Sequence, residues 1–176
     1  MERSLRQRIM FVMFAIVLAS VLYAGIFIGD FDFIISNLYL VLFLAALYMD
    51  HTDRSRIVLV LSAAVLIVRI ILGFAQNPSV ALSLPGIAQI VLYVALYLFA
   101  QSFLSNSFRK NNTTYMIIIL ALPAAIFTAS DFLSIFRAVI GNINLSSVFI
   151  LAYALIDLIF PVSIITYTAL RMNRID

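Results

Sequence analysis

The sequence predicts an all-α, polytopic membrane helix bundle of six transmembrane helices with both termini cytoplasmic. Three observations predict it. Hydrophobic residues make up 65% of the 176 residues, charged residues only 11%, and the mean hydropathy is +1.15. A soluble domain holds about 45–50% apolar residues and about 25% charge, so this excess excludes a water-soluble core and a disordered chain. Six apolar runs approach or exceed the length of about 20 residues that a helix needs to cross hydrocarbon. Basic residues then cluster at alternate connections between those runs. Residues 1–176 read as a single transmembrane helical domain.

The runs follow in order. The first is Ile9 to Gly29, with a basic start that resembles a signal peptide; it is longer than a signal's apolar region and lacks a clear small-residue cleavage site. The second, Phe33 to Met49, is short. The third spans Ile57 to Phe74 and the fourth Gly86 to Leu104. The fifth runs from Tyr115 to about Phe136 and the sixth from about Ser147 to Leu170. Break signals separate them: Gly29-Asp30, Asp50 to Arg56, Gln76-Asn77-Pro78, Asn111-Asn112 and Gly141-Asn142.

Nine of the eleven Lys and Arg residues fall on one side of this arrangement: Arg3, Arg6, Arg8, Arg54, Arg56, Arg109, Lys110, Arg171 and Arg174. Arg137 lies on the other side and Arg69 within the third run. Positive connections mark the cytoplasmic side, so both termini are expected there, in a multi-pass protein of the plasma membrane. A missed or additional span would scatter these charges over both faces.

Several chemistries are excluded. The chain has no Cys, one His (His51) and one Lys (Lys110), the last two both between runs. Disulfides, thiolate metal sites, a bis-histidine haem and a buried Schiff-base lysine are therefore ruled out. Five glycines form no phosphate-binding loop, and no GxSxG elbow is present. No cofactor is expected. The net charge of +3 and pI of about 9.4 follow from membrane topology and do not point to nucleic acid. The segment Asp50-His51-Thr52-Asp53 contains metal-ligand types, but a solvated loop is the expected reading.

The informative residues are polar ones inside apolar runs. Arg69, Asp131 and Asp157 lie in runs three, five and six. A charge at mid-membrane costs at least about 2.5–3.5 kcal/mol, so such groups turn inward and find partners. Arg69 and Asp131 are expected near the outer ends of their helices and Asp157 near the midplane. Helical spacing gives each of them polar or small companions: Ser62 and Gly73 with Arg69, Ala124 and Thr128 with Asp131, and Tyr153, Pro161 and Thr168 with Asp157. The fourth run carries Gln89, Tyr93, Tyr97 and Gln101 at four-residue intervals, a stripe expected to face other helices.

These residues predict a polar cavity among runs three to six, with Arg69, Asp157, Asp131, Gln89, Tyr93, Tyr97 and Tyr153 as its ligand-binding side chains. The expected partners are membrane lipids, a small-molecule or ion ligand, and a membrane protein or a second copy of this chain. The competing structural reading makes the same groups interhelical hydrogen bonds, worth about 0.6 kcal/mol each on average. It is favoured for the tyrosines and glutamines and stands level with the cavity reading for Arg69 and Asp157. A non-catalytic accessory or sensory subunit is the alternative function. An intramembrane enzyme, with two carboxylates as acid and base, is the third.

Pro123 and Pro161 lie inside runs five and six, where each removes a backbone hydrogen bond. Gly25 and Gly29 form a GxxxG pattern, read as intramolecular packing rather than a dimer contact. Two halves of three spans would have inverted topology, as in many transporters, though no residue-level similarity links them. The stretch Tyr153 to Leu158 is similar to the final helix of multi-pass input modules on some prokaryotic sensor proteins. That resemblance spans only those few residues and implies a sensory role.

Overall fold

A computed structural model describes residues 2–50, 52–76, 83–108, 111–141 and 144–173. Among them the chain is helical and has no strands. Helix α1 is Glu2–Tyr23 and continues through a π-helical turn, Ala24–Ile28. The others are α2 (Phe31–Met49), α3 (Asp53–Gln76), α4 (Leu84–Leu104), α5 (Asn112–Ile140) and α6 (Leu145–Met172). All six are long and apolar enough to cross a membrane. His51, Asn77, Pro78, Arg109, Lys110, Asn142 and Arg174 lie outside the described residues, as do the side chain of Arg3 and the burial of Gly73.

The break signals work as helix caps. The first amides of a helix have no intrahelical acceptor, and Asp, Asn, Ser and Thr side chains supply one. Asp30 accepts from Phe33 N at 2.9 Å, Thr52 from Ser55 N at 3.1 Å, and Ser83 from Gly86 N at 3.2 Å. Asn111 accepts from Thr114 N at 3.0 Å. Asn144 opens α6 with a capping box closed by Ser147. Helices α1, α3, α5 and α6 outrun the expected apolar stretches. Arg6 and Arg137 are consequently helical residues, and Asp131 sits deeper than expected because α5 continues to Ile140.

The GxxxG pattern divides into two separate roles. A Cβ at Gly25 would lie 2.3 Å from Ile34 Cδ1, so this glycine lets α2 approach α1. Gly29 has φ +73° with open space around its Cα; it ends the π-helical turn in a left-handed conformation that side chains resist.

Packing follows the ring order α3–α2–α1–α6–α5–α4. Helix α5 packs on α6 and α4, α2 on α3 and α1, and α1 also on α6, while α3 and α4 scarcely touch. One inter-helix hydrogen bond fixes the register of α3: Ser62 Oγ donates to Tyr39 O of α2 at 2.7 Å. The charges Arg6, Asp50 and Arg171 gather at one end of the bundle, here called the inner end after the positive-charge expectation. Above them lies a layer of buried rings. Phe99 packs on Phe43, Phe103, Phe108 and Tyr167 with centroid separations of 5.4–6.0 Å, and Phe43 meets Phe160 edge-on at 5.4 Å. Those residues come from α2, α4, α6 and the α4–α5 connection, so the inner half of the bundle is filled by aromatic packing.

Candidate functional site

A cavity of about 890 Å³ occupies the outer half of the bundle. Residues near the outer ends of α3, α4, α5 and α6 line it, together with Tyr39 from α2. The lining includes Arg69, Asp131, Asp157, Gln89, Tyr93 and Tyr153. Pocket volumes for small ligands run about 300–1,000 Å³. Phe127, Phe149 and Phe160 contribute apolar surface to the remaining wall, which also carries Thr128 and Ser134.

Helical geometry brings the polar groups together. Side chains lean toward the N-terminus of their own helix. Tyr39, on a helix that starts at the outer end, leans outward; Arg69, on a helix that starts at the inner end, leans inward. They meet, with the Arg69 guanidinium carbon 5.0 Å from the Tyr39 ring centroid. Ser62 and Arg69 share one face of α3 as their spacing predicts, and both engage Tyr39, one through its carbonyl and one through its ring. Among the described residues, no carboxylate lies within 4.0 Å of the Arg69 nitrogens. Arg69 and Asp157 are half-buried and Asp131 is exposed.

Asp157 offers more than its carboxylate. Pro161, buried and also lining the cavity, has no N–H to give to the carbonyl four residues earlier. The Asp157 main-chain oxygen therefore loses its usual helical donor, on the same helix face as the side chain. Thr128 lines the cavity but spends its hydroxyl on Ala124 O at 2.9 Å, a back-bond common for threonine in membrane helices.

Two expectations are corrected. Tyr97 is 67% exposed and outside the cavity, and Gln101 is exposed as well. Four residues overshoot one helical turn by about 40°, so the stripe that begins at Gln89 and Tyr93 drifts off the lining within two further steps. Tyr97 lies within two turns of the inner end of α4, where a tyrosine ring suits the membrane interface. Substituting Tyr97→Leu is expected to change stability by less than about 0.5 kcal/mol; a thermal melt in detergent measures this, and a larger loss would place Tyr97 in a contact. The second correction concerns Asp50. It is not a solvated loop residue but is 6% exposed, and it accepts from Arg6 Nη2, from Tyr167 Oη at 2.9 Å and from Arg171 Nη2 at 3.1 Å.

Sequence reasoning missed Tyr39 as a cavity residue and missed the Asp50 cluster altogether. Tyr39 sits in an apolar run with no polar periodicity to mark it. Arg6 and Arg171 carry the positive-charge signal of any span end, and Asp50 resembles an ordinary break. The one local sign is conformational: Asp50 has φ +44°, a costly backbone for a residue other than glycine. No family model, curated protein or solved structure matches the chain, and a functional assignment therefore rests on the cavity.

Proposed function

We propose that this chain is a small multi-pass membrane protein that binds a small molecule in its outer-half cavity. The observation that carries the reading is the convergence of Arg69, Asp131 and Asp157, from three helices, on one space of about 890 Å³. Helix contacts alone would be made more cheaply by apolar or neutral polar residues. The positive-charge rule assigns the inner end to the cytoplasm, so the cavity belongs to the outer leaflet of a plasma membrane. The aromatic layer around Phe99 seals the inner side. Binding from outside needs no rearrangement of that layer, whereas transport requires it to part.

The absence of native cysteine makes a thiol scan direct. A Thr128→Cys variant is expected to react with a membrane-impermeant methanethiosulfonate reagent added from outside, while Phe99→Cys does not. Compounds from a panel mixing cations, anions and zwitterions are then screened for slowing of that reaction. One or more is expected to protect the introduced thiol. If the Thr128→Cys thiol stays unreactive, or if no compound slows its labelling, the binding reading fails.

A further inference from the structure

Resting on that reading, we infer that the ligand is a zwitterion, whose acidic group docks on Arg69, whose cationic group docks on Asp157, and whose apolar part lies against the phenylalanine walls.

The charge arrangement selects this class. Arg69 and Asp157 line the same cavity from different helices, yet no ion pair within 4.0 Å joins them. Opposite charges in a low-dielectric space attract strongly, and a pair held apart around a void is completed by a molecule carrying the complementary pair in reverse order. Arg69 is already oriented by its stacking on Tyr39. Its planar fork matches a carboxylate or phosphate in two parallel hydrogen bonds. Asp157 presents its carboxylate to the same cavity, an acceptor suited to an ammonium group with several N–H donors. The Tyr153 ring, also in the lining, adds an aromatic face of the kind that attracts cations.

Simpler ligands fit less well. A simple anion would satisfy Arg69 but face Asp157 and Asp131. A simple cation would satisfy Asp157 but face Arg69. Asp131 lines the cavity but is more exposed than Asp157, so Asp157 is the carboxylate enclosed enough to dock the cationic group. The walls formed by Phe127, Phe149 and Phe160 favour a zwitterion with apolar substituents. A free amphipathic zwitterion and the headgroup of a zwitterionic lipid share this chemistry.

The test uses the full chain in nanodiscs and three matched probes: leucyl-leucine, its C-terminal amide and its N-acetyl derivative. These are zwitterion, cation and anion of nearly one shape. Thermal stabilisation and protection of the Thr128→Cys thiol report binding. Leucyl-leucine is expected to bind roughly tenfold or more tightly than either derivative, as the loss of a charge-assisted hydrogen bond implies. Arg69→Gln is expected to shift preference to the amide and Asp157→Asn to the N-acetyl form, opposite changes that a purely structural role does not produce. Phosphatidylethanolamine discs weaken leucyl-leucine binding relative to phosphatidylglycerol discs if the headgroup is the natural occupant, and leave it unchanged if the ligand is free; either result supports the zwitterion class. Equal or tighter binding of a derivative, or no binding of any of the three, overturns that class. The binding reading itself survives those outcomes as long as some compound of the mixed panel protects the thiol.

Discussion

Asp50→Asn is expected to be the most destabilising conservative substitution in this chain, costing about 3–5 kcal/mol. Asparagine keeps the shape of the side chain and tolerates positive φ, so the variant isolates the charge. Arg6 is 2% exposed and donates to Asp50. Without the carboxylate its buried guanidinium would lose the counter-charge that Asp50 supplies. Arg171 is less enclosed, with its side chain 15% exposed, so Arg171→Gln is expected to cost much less. A melting temperature lower by something on the order of 10 °C is the measurable result, and adding Arg6→Gln to Asp50→Asn should recover part of the loss. A variant that melts with the parent would show that Arg6 reaches water, and a double variant worse than the single would show that Arg6 stabilises independently of Asp50.

Phe99→Ala is the second large effect. Phe99 is fully buried and contacts four other rings. In a soluble protein such a truncation costs about 3–5 kcal/mol through lost transfer energy plus the cavity left behind. Here the transfer contribution is smaller, because lipid is as apolar as the bundle interior, while the cavity contribution remains. The expected cost is therefore about 2–3 kcal/mol, measured by unfolding in mixed detergent. Phe99→Leu, which retains most of the volume, should cost under about 1.5 kcal/mol. The alanine variant also thins the barrier beneath the binding cavity. Labelling of the Thr128→Cys thiol by an impermeant reagent from the inner side should appear in the double variant only. Its absence would mean that the remaining rings close the gap.

The six helices are legible in the sequence because hydrocarbon imposes one requirement, a sustained apolar run, that composition reports directly. Arg69, Asp131 and Asp157 stand out in the sequence for the converse reason: each breaks such a run at a cost, and all three line one cavity, Arg69 and Asp157 half-buried and Asp131 exposed. The rest depends on three-dimensional coincidence. Arg6 and Asp50 are 44 residues apart and Asp50 and Arg171 are 121 apart, and no local pattern states that they meet. Tyr97 follows Tyr93 by four residues, and the sequence interval conceals the angular drift that separates them. Gly25 and Gly29 look equivalent in a GxxxG pattern, and only the backbone reveals that one is a contact and the other a turn.

The ion cluster at the inner end also sets an order of events during synthesis. Arg6 and Asp50 belong to the first hairpin and can join as soon as α2 leaves the insertion machinery. Tyr167 and Arg171 arrive with the last helix, after three more membrane crossings have been laid down. Until then the clasp is half made, and the ring of helices has no fastening between its earliest and latest members. A nascent chain arrested before α6 would thus hold the Arg6–Asp50 pair without the two contacts that Tyr167 and Arg171 add from the last helix.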